Sequence, residues 1–446
     1  MSQMRGPSQA GPDKPSRPVG APPLVRAWAE ALAAAAAGIV AMFVVAALGL
    51  WAAGASDLPG GAFPRVVAAV VVIAAGGSVD LWGDAGVIVQ ADAALEVVPL
   101  SVTLAGVLAT ATVFLLPLRH RAVAGTGELL GRVARTALFW LLFLLFLAMA
   151  ARHSFRISLG DDTADDLGAE FGATPTVSFR ADVPATLGLG LLWLLAVLVL
   201  TFLVSRRAPL SSRLLHFQNS VRPPAFAMLM VLLGYAVIGL VVGVVVLLTK
   251  GHQAETAAVL CLGLPNLAWM ALGVGMGGAW TGHVDKGIGL PMPHVLDQAL
   301  RSRGGDRTLD VGALAAYDGR AWLLVALAAV VLLAAGFVAA VRSPAGVPAW
   351  RHALEMAVAL ALTLLVVGLL TEIFAHYGLS LMGVGDLGGG LGGEIVLQPQ
   401  LLWLVGLGAA WGLVTGCLGS LLARRVRHRG QVPFTQARRP GAPPGA

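Results

Sequence analysis

The sequence is poor in charge. Only 12% of its 446 residues are Asp, Glu, Lys or Arg, whereas 57% are hydrophobic. Soluble globular domains carry about 25% charged residues, so a soluble fold of this composition would have too little polar surface to cover itself. A bilayer removes that requirement, because hydrocarbon then surrounds the apolar side chains. The composition therefore predicts an integral membrane protein with the lipid bilayer as its main partner.

Reactive motifs are also scarce. The two cysteines, Cys261 and Cys417, both lie in apolar stretches, and no CxxC, HExxH or GxSxG string occurs. Zinc sites and nucleophilic catalysis need such groups at defined spacings. We therefore expect no catalytic residue, no metal site and no cofactor. The net charge of +6 does not predict nucleic-acid binding, because the basic residues flank apolar segments, where they act as topology signals.

Ten apolar segments lie between the charged stretches. A helix needs about 20 residues to cross the hydrocarbon core, and the first segment is too long for the apolar region of a cleavable signal. We therefore expect the first segment to stay in the membrane as a helix. The ten segments are Ala31–Ala53, Val66–Val79, Val97–Leu118, Thr136–Ala151, Val183–Ser205, Pro223–Thr249, Thr256–Gly282, Ala321–Val341, Met356–Thr371 and Ile395–Ala423.

Basic residues predict the orientation of these segments. Five stretches hold 20 of the 30 Lys and Arg: the N-terminal tail, Arg119–Arg135, Arg206–Arg222, Arg342–Arg351 and the tail from Arg424. The positive-inside rule places all five in the cytoplasm, which predicts a bacterial cell-membrane protein with both termini cytoplasmic.

That placement requires an even number of crossings in each half, and each half contains an odd number of apolar segments. One segment in each half is therefore expected not to span. Val66–Val79 is short, and Thr256–Gly282 is interrupted by Pro265 and rich in glycine. The prediction is an all-α bundle of about eight spans with two re-entrant or broken segments. The alternative is ten spans.

The order of segments predicts an internal repeat with a boundary near Arg222. The predicted parts are a disordered tail (1–27), two halves of the bundle (28–222 and 223–425) and a disordered basic tail (426–446). Three external loops are expected at Arg152–Asp182, Asp285–Arg320 and Tyr377–Glu394.

Polar residues at membrane depth are the best functional candidates, because each is costly to insert and such residues often mark a transport pathway. Proline breaks also expose backbone groups that can hold a ligand. These criteria select a candidate polar pathway of Asp80, Pro265, Asn266, Glu372 and His376. The segment containing Glu372 is expected to continue as a helix through Ala375. Hydration near the interface, or helix capping by Asn266, explains the same residues without a function.

Small residues at intervals of four predict close helix packing. They are Gly239, Gly243, Gly408, Gly412, Gly416 and Ser420, and we expect packing within the bundle rather than dimerisation. Two GxGxxG strings, Gly273–Gly278 and Gly383–Gly388, lack the strand and helix context of a dinucleotide site. The acidic stretch Asp161–Glu170 lacks the pattern of an EF-hand loop.

Three stretches resemble the streptophobe family of actinobacterial multi-pass membrane proteins: Val98–Gly106, Leu116–Ala122, and Leu264–Asn266 running to Gly277-Gly278. The resemblance extends from the first helix to the last and implies a membrane protein from an actinobacterium. It implies no activity and no catalytic residue.

Two functions fit these observations. The first is a non-enzymatic, envelope-associated assembly or regulatory protein that works with other membrane proteins. The second is a transporter or permease for a small substrate.

Overall fold

The structure is a computed structural model. It describes residues 24–58, 61–84, 89–117, 126–156, 176–205, 212–249, 251–284, 307–343, 347–381 and 393–430. Its helices are α1 Leu24–Ala52, α2 Phe63–Ala74, α3 Leu100–Leu115, α4 Thr126–Ala150, α5 Val183–Val204, α6 Ser212–Thr249, α7 Gln253–Gly275, α8 Val311–Tyr317, α9 Leu323–Arg342, α10 Ala349–Leu370 and α11 Leu401–Gly430.

Within these residues, eight strands form one antiparallel sheet at one end of the helix bundle, which we call the sheet end. The strands are β1 Val79–Asp84, β2 Val89–Val97, β3 Arg152–Arg156, β4 Thr176–Ala181, β5 Trp280–Val284, β6 Arg307–Leu309, β7 Ile373–Leu381 and β8 Gly393–Pro399. Their order in the sheet is β3-β4-β1-β2-β7-β8-β5-β6. The opposite end of the bundle is the far end.

The helix bundle predicted from the sequence is confirmed. Eight described helices are long and apolar enough, by length and composition, to cross a membrane; α7 is one of them, whereas α3 falls short with 16 residues. The positions of their ends show which of α3 and α7 runs from one end of the bundle to the other. α3 begins directly after β2, and Phe114 in its last turn contacts Phe202, with 5.6 Å between ring centroids, at the far end of α5. At about 1.5 Å per residue α3 is only about 24 Å long, but the contact between Phe114 and Phe202 places its last turn at the far end.

α7 has both of its ends on the sheet side. Its first half lies against the end of α1, where a Cβ on Gly49 would approach Leu262 to within 2.6 Å, and its last residue leads to β5. α2 is placed in the same way: Arg65 at its start donates to the ring of His153 in β3, and its end leads to β1. We call α2 and α7 the crossing helices, because they run across the bundle below the sheet and do not span the membrane. They are the two segments predicted not to span, and their placement favours eight spans over ten.

The order of elements repeats. The first unit runs α1, α2, β1, β2, α3, α4, β3, β4, α5, and the second runs α6, α7, β5, β6, α9, α10, β7, β8, α11, with α8 inserted after β6. Each unit contributes four neighbouring strands in the same relative order, and β2 joins β7 between the units. The predicted boundary at Arg222 lies inside α6, the first helix of the second unit.

The same turn ends both crossing helices. Gly76 (φ 90°) follows α2 and Gly277 (φ 95°) follows α7, in the left-handed region that glycine adopts without strain. The next residue donates to the carbonyl five residues back in each case: Gly77 to Val72 at 2.9 Å and Gly278 to Gly273 at 2.8 Å. These hydrogen bonds form a Schellman motif, and they fix the residue equivalence of the two units.

Several sequence predictions differ in detail. The sheet was not predicted, because its strands lie in or beside stretches interpreted as loops or helix ends. The helix expected to continue through Ala375 ends at Leu370, and β8 occupies the start of the apolar segment that begins at Ile395. Most of both predicted disordered tails lies outside the described residues, although α1 begins at Leu24 and α11 continues to Gly430.

Candidate functional site

The start of α3 meets both crossing helices. Thr103 donates from Oγ1 to the carbonyl of Ala74, the last residue of α2, at 2.9 Å. Ser101, the amide of Leu100 and the carbonyl of Val98 bond to α7, as described next. We call Ser101, Thr103 and Asn266 the crossing node; it lies immediately below the sheet, since α3 follows β2 directly.

Ser101 is inserted into the hydrogen-bond ladder of α7. Its Oγ donates to the carbonyl of Leu260 at 2.9 Å and accepts from the amide of Leu264 at 3.1 Å. Pro265 follows Leu264 inside the helix, and a proline ring pushes the preceding turn open. The hydroxyl therefore satisfies backbone groups that the distortion would leave without a partner.

Asn266 joins the second unit to the first. Its Nδ2 donates to the carbonyl of Val98 at 2.9 Å, and its Oδ1 accepts from the amide of Leu100 at 3.2 Å. The first amides of a helix have no partner within that helix, so Asn266 caps α3 from α7. The side chain is only 6% exposed. Capping by Asn266 was considered from the sequence, but for its own helix rather than for one in the other half.

The other pathway candidates lie in or beside the sheet. Asp80, which is exposed, belongs to β1. Leu81 is the register partner of Ala93, and Ala93 is the partner of Tyr377. Asp80 and His376 therefore lie in the adjacent row, two strands apart, with their Cα atoms separated by about 10 Å.

Glu372 immediately precedes β7 and is half-buried. Its neighbour Ile373 pairs with Val97, which is followed by the carbonyl that Asn266 binds. The structure thus places Pro265 and Asn266 in α7 below the sheet, and Asp80, Glu372 and His376 in the sheet or at its margin. The five do not form one cluster.

Glycines set the spacing of the helices in the second unit. A Cβ on Gly412 would lie 2.5 Å from the Cα of Ala357, and one on Gly416 would lie 2.8 Å from the Cα of Ala353. Gly408 approaches α10 in the same way. Ser420 donates to the carbonyl of Cys417 at 2.8 Å, and it is the neighbouring Gly419, missed in the sequence, that meets α9.

The remaining glycine candidates also pack within the bundle. Gly239 lies against Leu264 and Ala268, and Gly243 against Leu260. In the first GxGxxG string, a Cβ on Gly275 would lie 2.5 Å from the carbonyl oxygen of Leu324, which makes it a packing position. The second string and the acidic stretch Asp161–Glu170 lie outside the described residues.

Two polar groupings at the far end were not singled out from the sequence. Glu30 accepts from Arg26 and from Arg132, each at 3.1 Å, and the Arg132 side chain is only 10% exposed. The Arg132 guanidinium also lies 4.8 Å from the ring centroid of Phe114. The sequence analysis treated the basic loop that contains Arg132 only as a topology signal. It therefore could not predict that Arg132 is buried or that it lies against the ring of Phe114.

The second grouping surrounds buried His352, whose Nε2 lies 3.4 Å from the carbonyl oxygen of Gly336. A cavity of about 40 Å³ beside it is lined by Ser343, Ser420 and Arg424 among others. That volume is large enough for a water molecule. Among the described residues, no group of three or more His, Cys, Asp or Glu is placed to hold a metal ion.

Comparison with known proteins adds no relative. No protein-family model matches the chain, and neither a curated protein nor a solved structure matches it.

Proposed function

We propose that the protein is a non-enzymatic scaffold of the bacterial cell membrane that presents its sheet on the outer face for the assembly of envelope components. The observation that carries this proposal is the single eight-stranded sheet. It contains strands from both units, and most of its strands lead directly into or out of a helix of the bundle. The bundle therefore holds the sheet in a fixed position outside the apolar layer.

Charge distribution supports the orientation. The basic stretches between α3 and α4, between α5 and α6, and between α9 and α10 all connect helices at the far end. By the positive-inside rule the far end is cytoplasmic, and the sheet then lies on the opposite side with both termini in the cytoplasm. The resemblance to the streptophobe family supports a bacterial membrane location.

Packing below the sheet also supports a scaffold. Asn266, a buried pathway candidate, uses both polar atoms of its amide to hold α3. Gly412 and Gly416 bring α11 into backbone contact with α10. A residue that binds a passing substrate must exchange partners, whereas these contacts are internal and fixed.

A test compares two sets of substitutions. Asp80, Trp82 and Arg180 are exposed on the sheet, and Asp80→Ala/Trp82→Ala/Arg180→Ala removes their side chains without touching the node. Leu192→Ala/Val199→Ala on α5 is the control, because these residues are 63% and 64% exposed on an apolar helix. Both variants should insert into the membrane at wild-type levels. Only the sheet variant should fail to restore envelope integrity to a strain lacking the protein.

Full complementation by the sheet variant would contradict the scaffold. Orientation is checked separately with reporter tags in the 206–211 and 285–306 segments, which should be cytoplasmic and external, respectively.

A transporter is the second candidate, and the opened backbone of α7 before Pro265 is the observation that favours it. Substrate-dependent flux into liposomes, lost in Asn266→Ala while the protein stays folded, would replace the scaffold with this function.

A further inference from the structure

The joint between the two units uses different surfaces on each unit. The first unit contributes β2, the end of α1 and the start of α3, and the second contributes β7 and the first half of α7. β2 and β7 pair over nine residues, from Val89↔Leu381 to Val97↔Ile373. Such a joint is heterologous, and the repeat gives each unit a counterpart of the strand that its neighbour uses.

The crossing helices differ in what lies against their prolines. The shared glycine turns make Pro64 equivalent to Pro265 and Arg65 equivalent to Asn266, since each proline precedes its turn by the same number of residues. Pro265 and Asn266 are buried against the first unit. Pro64 and Arg65 are exposed at the start of α2, where Arg65 donates to the ring of His153 in β3. Within the described residues, the contact that Asn266 makes between the units is therefore not repeated at the equivalent position of the first unit.

The first helices of the two units differ in how much of their surface the bundle covers. Of the apolar window of α1, 39% is buried, and α7 covers its end at Gly49. Only 17% of the equivalent window of α6 is buried. Within the described residues, α6 is therefore the less covered of the two.

The two outer strands of the sheet are the counterparts of the two strands that join the units inside the chain. β3 and β6 are its outer strands, and within the described residues each pairs on one side only. β6 is the counterpart of β2, and β3 is the counterpart of β7. As far as the described residues show, the pairing that joins the units inside the chain is therefore available again at the two outer edges of the sheet.

We propose that copies of this chain associate head to tail, with β6 of one copy pairing with β3 of the next. Both units run in the same direction between the two ends of the bundle, so the rotation that relates them lies about an axis parallel to the helices. Repeating it keeps every copy in one membrane plane and leads to a closed ring or an arc.

The internal joint also predicts the register between copies. Trp280 pairs with Leu309, and the register of β1 with β2 would set Val79, the counterpart of Trp280, opposite Leu95. Leu309 is therefore the counterpart of Leu95, which pairs with Ala375 across the internal joint. Ala181 pairs with Val79 as Pro399 pairs with Trp280, so Phe179 is the counterpart of Leu397. Because His153 pairs with Phe179 and Ile373 pairs with Leu397, Phe155 on β3 holds the position of Ala375 on β7. Leu309 of one copy should therefore lie opposite Phe155 of the next.

Cysteine cross-linking in native membranes tests this register. In a Cys261→Ala/Cys417→Ala background, Leu309→Cys and Phe155→Cys are placed on separately tagged copies and oxidised. Opposed strand residues lie within the Cα separation that a disulfide spans. The expected product is a cross-link between the two tags when both variants are present. Neither variant alone should cross-link, because the contact joins two different surfaces.

Matched controls make the result decisive. Leu95→Cys/Ala375→Cys in one chain should close within that chain, and Val177→Cys, on the inner strand β4, should not react with Leu309→Cys. Closure of the internal pair without any product from the intermolecular pair would overturn the proposal. Cross-linking of Leu309→Cys to itself would overturn it too, since that product indicates a two-fold dimer.

A measurement without substitutions guards against misfolded variants. Wild-type protein carrying one fluorophore per chain should bleach in two or more steps per particle in native nanodiscs. Single-step bleaching throughout would show one copy per particle, and head-to-tail association would be wrong.

Discussion

The last helix pair of each unit solves the same packing problem in a different way. In the first unit, Gly190 of α5 faces Leu144 of α4; in the second, Gly408 of α11 faces Leu364 of α10. One turn further along, the units diverge. α5 has Leu194, which is fully buried, where α11 has Gly412, whose absent side chain leaves room for the α10 backbone.

Aromatic rings occupy the corresponding space in the first unit. Trp140 and Trp193 stack with 5.0 Å between ring centroids and 6° between their planes, and the Trp140 Nε1 donates to the carbonyl of Gly190 at 3.0 Å. In the second unit, Gly336 and Gly419 bring α9 and α11 into backbone contact. One topology therefore tolerates either large side chains or glycines at its helix contacts, provided that both partners match.

The largest effect is expected from moving a residue of the first unit into the second. Gly412→Leu places a Cβ 2.5 Å from the Cα of Ala357 and 2.6 Å from the carbonyl oxygen of Met356, and neither backbone atom can move without separating α10 from α11. Overpacking costs about 1–3 kcal/mol and sometimes more, and here we expect the upper part of that range. Thermal unfolding in detergent, followed by size-exclusion chromatography, measures the loss.

Gly406→Leu is the matched control on the same helix, because nothing lies within 4 Å of the added Cβ. It should leave the midpoint temperature almost unchanged. Equal destabilisation by Gly406→Leu and Gly412→Leu would mean that helix propensity, rather than backbone contact, explains the glycines of α11.

The second effect concerns Asn266, whose contact with the start of α3 has no counterpart at the equivalent position of the first unit. Asn266→Ala leaves the Leu100 amide and the Val98 carbonyl without their side-chain partner in a buried place. A buried polar group left without a partner costs about 1–3 kcal/mol. Arg65→Ala, at the equivalent exposed position in the first unit, should cost less. The free energies of unfolding of both variants in detergent decide the comparison, and a larger loss for Arg65→Ala would contradict it.

The sequence predicted the parts of this fold that depend on lipid. Long uncharged runs and their basic flanks were enough to identify the spans, and the parity of crossings singled out both segments that cross below the sheet. Pro265 and the glycine pairs drew attention to the right places, because these residues change the backbone locally.

Contacts between distant segments could not be predicted in the same way. Strand pairs such as Val97 with Ile373 join residues far apart in the chain, and the paired segments have no alternating pattern strong enough to predict a sheet. Asn266 was selected as a polar residue at membrane depth, but its partners at the start of α3 follow only from the fold. The burial of Arg132 between Glu30 and Phe114 is likewise a tertiary property.

A third effect should be equal in the two units, because both crossing helices end in the same turn. Gly76→Ala and Gly277→Ala each force a side chain into a positive φ, of 90° and 95°. The nearest atom to the added Cβ is 3.6 Å away at Gly76 and 4.0 Å away at Gly277, so sterics add little. Each substitution should cost about 1–2 kcal/mol from backbone conformation alone.

Asparagine, which tolerates this region better, should restore part of the lost stability at both positions. Unequal losses for the two alanine variants in thermal unfolding would contradict the structural equivalence of the turns.

The smallest effect is expected for the exposed ion pairs at the far end. Arg26 pairs with Glu30 at 3.1 Å in the first unit, and Arg351 pairs with Glu355 at 3.2 Å in the second; the arginines are 68% and 55% exposed. In both pairs the arginine precedes the glutamate by one turn near a helix start, the less favourable order for the helix dipole. Water and salt screen such pairs, which contribute about 0–1 kcal/mol.

Arg26→Ala and Arg351→Ala should therefore shift the unfolding midpoint little, and less still at high ionic strength. Arg26→Ala should lower the unfolding midpoint especially little, because Arg132 still pairs with the other carboxylate oxygen of Glu30. A marked loss of stability in Arg26→Ala that persists at high salt would show that the three charges act as one network, and that the first unit depends on its far end in a way the second does not.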